Sequence, residues 1–177
     1  SIAVIGTRNP IDFSKKIAFE IAEKFSKKDY VIVSGLAKGC DTAAHEGCLK
    51  NNGSTVAVLA HGLHDIFPKS NVDLSEKIIK SDGCLVSEYY TGKNPEDHFF
   101  IERDRLQSGL STSVILVESE IDGGSMHTIK FAKLQGKKVY AMKPVNNSSS
   151  FLGNKKVIDD KTAIEFQNTQ HLIKILS

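Results

Sequence analysis

Tryptophan is absent from this 177-residue chain, and arginine is scarce: Arg8, Arg103 and Arg105 are the only three among 23 basic residues. Cysteine is equally sparse. Cys40, Cys48 and Cys84 cannot pair completely and none belongs to a CxxC, which excludes a disulfide scaffold and favours a reducing, cytoplasmic setting. Cys40 and Cys48 lie eight apart on an expected helix, with Asp41 and His45 between them. A closed zinc site wants four convergent ligands, and His45 leaves the face the cysteines share, so buried inert thiols and no metal are expected. No apolar run approaches the roughly 20 residues of a membrane span. The opening Ser1–Gly6 is too short and uncharged for a signal peptide and reads as a strand. A net charge of +2 is far from the basic excess of a protein that coats nucleic acid indiscriminately, so any such site must concentrate its charge locally.

Catalytic signatures are missing as well. HExxH, GxSxG, DxDxDG, GxGxxG and GxxxxGK[ST] do not occur. Ser34, Ser108 and Ser125 have no histidine partner at a telling spacing, His45 reads as a helix-face residue, and His61 and His64 fall on a loop. Glu88 and Glu118 end strands, where a carboxylate more often ties a loop through backbone N–H groups than performs acid/base work. No catalytic residue and no cofactor is assigned.

What is present is alternation. Short apolar, β-branched runs at Ile2–Gly6, Tyr30–Ser34, Thr55–Ala60, Cys84–Glu88, Ser113–Glu118 and Lys138–Met142 read as strands buried on both faces. Helical patterns near Asp12–Lys28, Gly39–Asn51, Val72–Ser81, Glu102–Leu110 and Gly124–Gln135 separate them. The first keeps Ile17, Ile21 and Phe25 on one stripe. The expected fold is a single α/β domain, a Rossmann-like, doubly wound, mostly parallel sheet with helices on both faces. A Ser/Asn-rich loop at Asn146–Ser150 precedes an expected short edge strand, Lys156–Asp160, and a closing helix, Gln167–Leu176.

Ligands of open α/β sheets bind at the carboxyl ends of the strands, near the switch in strand order. There this sequence places Gly6-Thr7-Arg8, Ser34–Gly39, a long loop ending in Phe100–Arg105, Asp122–Ser125, and Lys143-Pro144. Glycines entering a helix let backbone amides approach an anion, and the helix adds its positive end. Where lysine serves for ordinary charge, the three arginines stand out. Their planar forks grip phosphate and stack on bases. Phe99 and Phe100, read as part of the loop, offer either a base platform or a hydrophobic anchor.

In chain order, the motifs are Gly6-Thr7-Arg8, the run SGLAKGCDTAAH at Ser34–His45, Phe67-Pro68 with Asn71 and Leu74, and Ser87-Glu88. They continue with FIERDR at Phe100–Arg105, Ser108-Gly109-Leu110-Ser111, Gly124-Ser125 with Thr128, and Pro144. Over residues 2–144 this order resembles the DNA-processing DprA (Smf) family, and Gly153-Asn154 extends it. The resemblance implies a Rossmann-like single-stranded DNA-binding protein, not an enzyme. It implies assistance to a RecA-type recombinase in natural transformation or recombination, and a homodimer. By position, Arg8, Ser34, Gly35, Lys38, Phe100, Arg103, Arg105, Ser108 and Gly109 would line the backbone-binding pocket. Gly124, Ser125 and Thr128 would form an adjacent turn in the same pocket, and Gly6, Thr7 and Gly39 are likewise expected to bind DNA phosphate. The chain departs from the pattern at Asp104 for Asn, Ile101 for Pro, Gln107 for an apolar residue, Gly123 for Ser and Val145 for Gly. Asp104 sets a carboxylate where phosphates should lie, or turns to orient an arginine.

Two alternatives share the fold. One is a small-nucleotide sensor. The other is a nucleotide phosphoribohydrolase, whose group carries P-G-G-x-G-T-x-x-E. Here Gly123-Gly124 survive, but Lys130 stands where the catalytic Glu belongs.

Overall fold

Every residue of the first strand, β1 (Ile2–Ile5), is buried, and alternate side chains enter different cores. A strand can do this only inside a sheet covered on both faces. The computed structural model, which describes residues 1–176, provides that sheet. After β1 come α1 (Asp12–Ser26), β2 (Ile32–Ser34), α2 (Cys40–Leu49), β3 (Thr55–Val58), α3 (Val72–Lys80) and β4 (Cys84–Val86). The second half adds α4 (Asp97–Gly109), β5 (Ser113–Leu116), α5 (Ser125–Leu134), β6 (Lys138–Met142), α6 (Leu152–Asp159), β7 (Ile164–Phe166) and α7 (Thr169–Leu176). The strand order is β4-β3-β2-β1-β5-β6-β7, and all pairings are parallel.

Ile2 and Val4 pack with Ile17, Ile21 and Phe25 of α1, Cys40, Ala43 and Cys48 of α2, and Leu172 of α7. Ala3 and Ile5 face Ile129 and Ala132 of α5 and Val157 of α6, with Leu106 of α4 alongside. A smaller cluster, Leu36, Ala57, Leu59, Leu74 and Ile78, seats α3. Each buried Ile or Leu contributes about 1.5–3 kcal/mol, so the two faces are held independently of any ligand.

The strand expected at Lys156–Asp160 is a helix instead. Val157 serves the second core from α6, and the edge strand is Ile164–Phe166. A two-residue β-branched pair, Val157-Ile158, cannot by itself distinguish strand from helix. The larger difference is at α4, which begins at Asp97 and not at Glu102. Phe99 and Phe100 therefore stand on the same helix as Arg103 and Arg105, not on a loop before it.

Candidate phosphate-binding cleft

Chain order reverses between β1 and β5: β2 lies on one side of β1 and β5 on the other. The loops leaving these two strands must part, and a crevice opens above them. It is a cleft of about 450 Å³. Its floor is Ile5, Gly6 and Thr7 from β1 and its loop, and Ser119 with Glu120 after β5. One wall is α4, through Asp97, Phe100, Ile101, Arg103, Asp104 and Gln107. The other is the start of α5: Gly123, Gly124, Ser125, His127 and Thr128. Arg8, Asn9, Ala37 and Asp41 complete the lining.

The Gly6-Thr7-Arg8 loop is fixed from below. The Thr7 amide donates to the Glu118 carbonyl at 2.8 Å, and the Thr7 carbonyl accepts from the Cys40 amide at 3.2 Å. Gly39, at φ +80°, is the only residue type that fits there without strain, and a Cβ would lie 2.5 Å from the Thr7 carbonyl oxygen. The Glu118 carboxylate, fully buried, accepts from the Ile11 amide at 3.1 Å, the loop-tying role expected of it. Arg8 is left exposed at the mouth, with its guanidinium carbon 5.0 Å from the centroid of the Phe100 ring. That is a cation–π contact, and Phe67 tilts against the same ring at 6.1 Å.

The opposite wall supplies amides. α5 starts directly from Gly124, and no side chain caps it. Among the described residues, the Gly124 and Ser125 N–H groups carry no intramolecular partner, while those of Met126 and His127 return to Gly123 and Gly124. Unpaired first-turn amides together with the helix dipole favour an anion. Asn154 holds the loop that feeds this turn. Its amide donates to the Val117 and Met142 carbonyls and accepts from the Ser119 amide, all within 3.0 Å. The Gly153-Asn154 match thus belongs to the support of the cleft.

Arg103 plays a different part from the one expected. It is 5% exposed, and its Nη1 donates to the carbonyls of Gly35 (2.8 Å) and Val58. Gln107, with its amide oxygen turned toward the guanidinium, accepts from Nε at 3.0 Å and Nη1 at 3.2 Å. Gly35 must lack a side chain because a Cβ there would overlap this guanidinium. Asp41 accepts from the Gly35 and Ala37 amides at 3.1 and 3.3 Å, and burial raises its carboxyl above the ordinary range despite Arg103. Arg103 therefore ties β2, β3 and α2 to α4 and presents only an edge to the cleft. Asp104, 7% exposed, lies 3.3 Å from the Arg103 Nε. Because that N–H also meets Gln107, the pairing is too weak to offset burial, which pushes the Asp104 carboxyl up to about 7.

Seven expected residues do not line the cleft. The Ser34 hydroxyl is buried and donates to the Val4 carbonyl at 2.8 Å. Gly35 and Gly39 are spacers for Arg103 and for the β1 loop. Lys38 is exposed outside the lining, and Arg105 is paired with Glu88 at the surface. Ser108 bonds back to the Asp104 and Arg105 carbonyls, and Gly109 accepts from Lys137. Nine helical residues place Gly109 roughly 13 Å along the axis from Phe100, toward the other edge of the sheet. Gly6, Thr7, Arg8, Phe100, Arg103, Gly124, Ser125 and Thr128 do meet in the cleft. Asn9, Asp97, Gln107, Glu120 and His127 line it without having been singled out as ligands. Phe100, Arg103, Asp104 and Gln107 follow the i, i+3, i+4, i+7 spacing of one helix face, a signal present in the sequence.

Nothing in the cleft arranges a nucleophile with a base. His45 is fully buried, pairs with the Thr55 hydroxyl at 2.8 Å, and is pushed down to about 3 by burial and then by Arg103. Cys40 and Cys48 are buried with raised thiols, and Cys84 is exposed. Among the described residues no His/Cys/Asp/Glu cluster could hold a metal, and no helix is long and apolar enough to cross a membrane.

Known proteins share this fold and much of this sequence. A family model described as DNA recombination-mediator protein A matches residues 1–177. Protein Smf of Synechocystis sp. is 38% identical over 141 residues, 80% of this chain but 35% of that protein. The structure of DNA processing protein A from Streptococcus pneumoniae superposes with a TM-score of 0.89 at 32% identity, covering 98% of this chain and 60% of that one. DNA processing protein A from Helicobacter pylori, a structure concerned with its single-stranded DNA binding mode, gives 0.90 at 30% identity, with 99% and 79% covered. The chain thus spans about a third of the length of the Synechocystis relative.

Proposed function

Because the chain belongs to the DNA recombination-mediator protein A family, we propose that it binds single-stranded DNA, holding phosphates in the cleft between the β1 and β5 loops. The observation that carries this reading is the pairing of Arg8 at the mouth with the unpartnered Gly124 and Ser125 amides across the cleft. A phosphodiester needs a charge and a set of N–H donors on opposite sides, and these are they. The Arg8–Phe100 stack, with Phe67 behind it, is the flat surface a base requires beside that phosphate. The reading is of a binding protein, not an enzyme. Assembly as a homodimer, aid to a RecA-type recombinase, and service in DNA uptake or recombination are further parts of the proposal. They rest on family membership alone.

A second reading, a small-nucleotide site, has its own support. The volume of about 450 Å³ falls within the range of single-ligand pockets, and Asp97 and Glu120 bound it with carboxylates. The two readings separate in one experiment. Fluorescence anisotropy of labelled oligo-dT and a matched duplex is followed across a salt series, then repeated with AMP and CMP as competitors. The proposal expects oligo-dT to win over duplex, with a log–log salt slope of about −0.7 per phosphate neutralised. Equal affinity for duplex contradicts it. Complete displacement by micromolar mononucleotide transfers the site to the second reading.

A further inference from the structure

Resting on the single-strand reading above, we propose that Asp104 acts in the loaded cleft as a neutral acid, its carboxyl donating a hydrogen bond to a phosphate oxygen, so that binding takes up one proton. The first ground is the charge inventory. Two cations, Arg8 and Arg103, line the cleft beside four carboxylates, Asp41, Asp97, Asp104 and Glu120. A site so composed repels a phosphodiester unless carboxylates are neutralised or turned away. The second ground is that Arg103 has little left to offer. Its Nη1 is committed to the Gly35 and Val58 carbonyls, and its Nε is shared between Gln107 and Asp104. Asp104 thus shares the Arg103 Nε with Gln107 and has only the neutral Thr128 hydroxyl besides, while being nearly sealed from water.

Around Asp104, burial and the Asp41 carboxylate raise its carboxyl, while the Arg103 guanidinium and the Thr128 hydroxyl hold it down without offsetting the burial. Arg103 precedes it on α4, with Asp97 at the start of that helix. Asp41 faces it from α2 and raises it further by repulsion, and the Thr128 hydroxyl of α5 contacts it. His127 of α5, Arg8 of the β1 loop and Glu120 of the β5 loop share the cavity. Burial already lifts the carboxyl to about 7 in the empty cleft. A phosphate adds a like charge a few ångströms away, which favours the neutral form still more. Once protonated, Asp104 presents the O–H that an amide N–H would present at the same place. The proton comes from solvent, and no covalent bond is made or broken.

The linkage has a definite sign. Below about pH 7 free and loaded protein both hold the proton, and affinity is level in pH. Above it the free protein loses the proton and binding must recover it, so affinity for oligo-dT should fall about tenfold per pH unit. Anisotropy at constant ionic strength from pH 6 to 9 reads this directly. Asp104→Asn, which carries a permanent donor of the same shape, should flatten the profile. Histidine also changes charge in this range, so His127→Gln is the control and should leave the slope in place. Titration calorimetry of the unsubstituted protein at pH 8, in two buffers of different ionisation enthalpy, should show about one proton taken up per site. That measurement stands even if a variant fails to fold. No uptake, a level profile in the parent, or an unchanged slope in Asp104→Asn overturns the proposal while leaving the single-strand reading intact. Failure to bind oligo-dT at any pH overturns both.

Discussion

Arg8 and Phe100 come from elements far apart in sequence, yet the Arg8 guanidinium carbon stands 5.0 Å over the Phe100 ring. The contact joins the first strand's loop to α4 across the mouth of the cleft. It also holds an otherwise free cation in the place where a phosphate would enter.

Arg8→Ala should therefore weaken oligo-dT binding and reduce the salt slope by about 0.7, the contribution of one phosphate contact to a single strand. Arg8→Lys should keep the slope but lose affinity, because a lysine neither forks nor stacks in the same way. Anisotropy over a salt series checks both. An unaltered slope in Arg8→Ala would remove Arg8 from the site.

Bases and phosphates can be weighed separately. Phe67 is 46% exposed and lies 6.1 Å from Phe100, so the two rings form a broken platform beside the charge. Phe100→Ala and Phe67→Ala should each cost about 1–3 kcal/mol of affinity for oligo-dT and almost none for an abasic strand of equal length. Equal losses on both strands would mean that the rings only shape the backbone groove.

Arg103 and Arg105, two residues apart, should behave as opposites. Removing Arg103 strands Asp41 and Asp104 in a buried cluster together with the Gly35 and Val58 carbonyls. Arg103→Ala should destabilise the fold by about 3–5 kcal/mol in urea denaturation. Arg105 forms a surface pair with Glu88, and Arg105→Ala should cost about 0–1 kcal/mol. Similar effects of the two substitutions would contradict the assignment of Arg103 as a tie between strands.

That contrast also explains what the sequence could and could not reveal. The alternation of buried strands and amphipathic helices was legible, because Ile2–Ile5 and the Ile17, Ile21, Phe25 stripe are ordinary hydrophobic patterns. So was the edge of the sheet where the cleft opens, since Gly6-Thr7-Arg8 and Gly124-Ser125 both follow strands. The first turn and a half of α4 was not. Its inward stripe is Phe100, Arg103, Asp104 and Gln107, mostly polar, so the apolar period that marks a helix is missing just where the helix faces the cleft. With the helix started only at Glu102 and its inward face unmarked by apolar residues, Arg103 and Arg105 look equivalent, although about 200° of rotation sends one inward and the other to solvent. Ser108 and Gly109, on the expected helix already, were assigned by motif position, and their place at the far end of α4 keeps them out of the lining.

The same polar stripe makes stability depend on pH. Asp104 holds its proton to about 7 in the fold, against 3.8 for an ordinary aspartate. Between those values the unfolded chain has released its proton while the native one retains it, so stability falls as pH rises through the window. The fall is at most about 4 kcal/mol and is complete above pH 7. Asp104→Asn should remove it, giving a variant whose advantage over the parent in urea grows from pH 4 to pH 7 and is constant beyond. A parent that is as stable at pH 8 as at pH 5, relative to the variant, would contradict this account of the buried cluster.

The central claim is that a single strand lies across the crevice between the β1 and β5 loops. Amide chemical-shift mapping during titration with oligo-dT tests it most directly, because the proposed contacts include backbone N–H groups. The largest shifts should fall on Gly124 and Ser125, on Thr7 and Arg8, and on Phe100. Shifts confined to α3, β4 or the outer faces of the helices, with the Gly124 and Ser125 amides unmoved, would place the strand elsewhere and contradict the account.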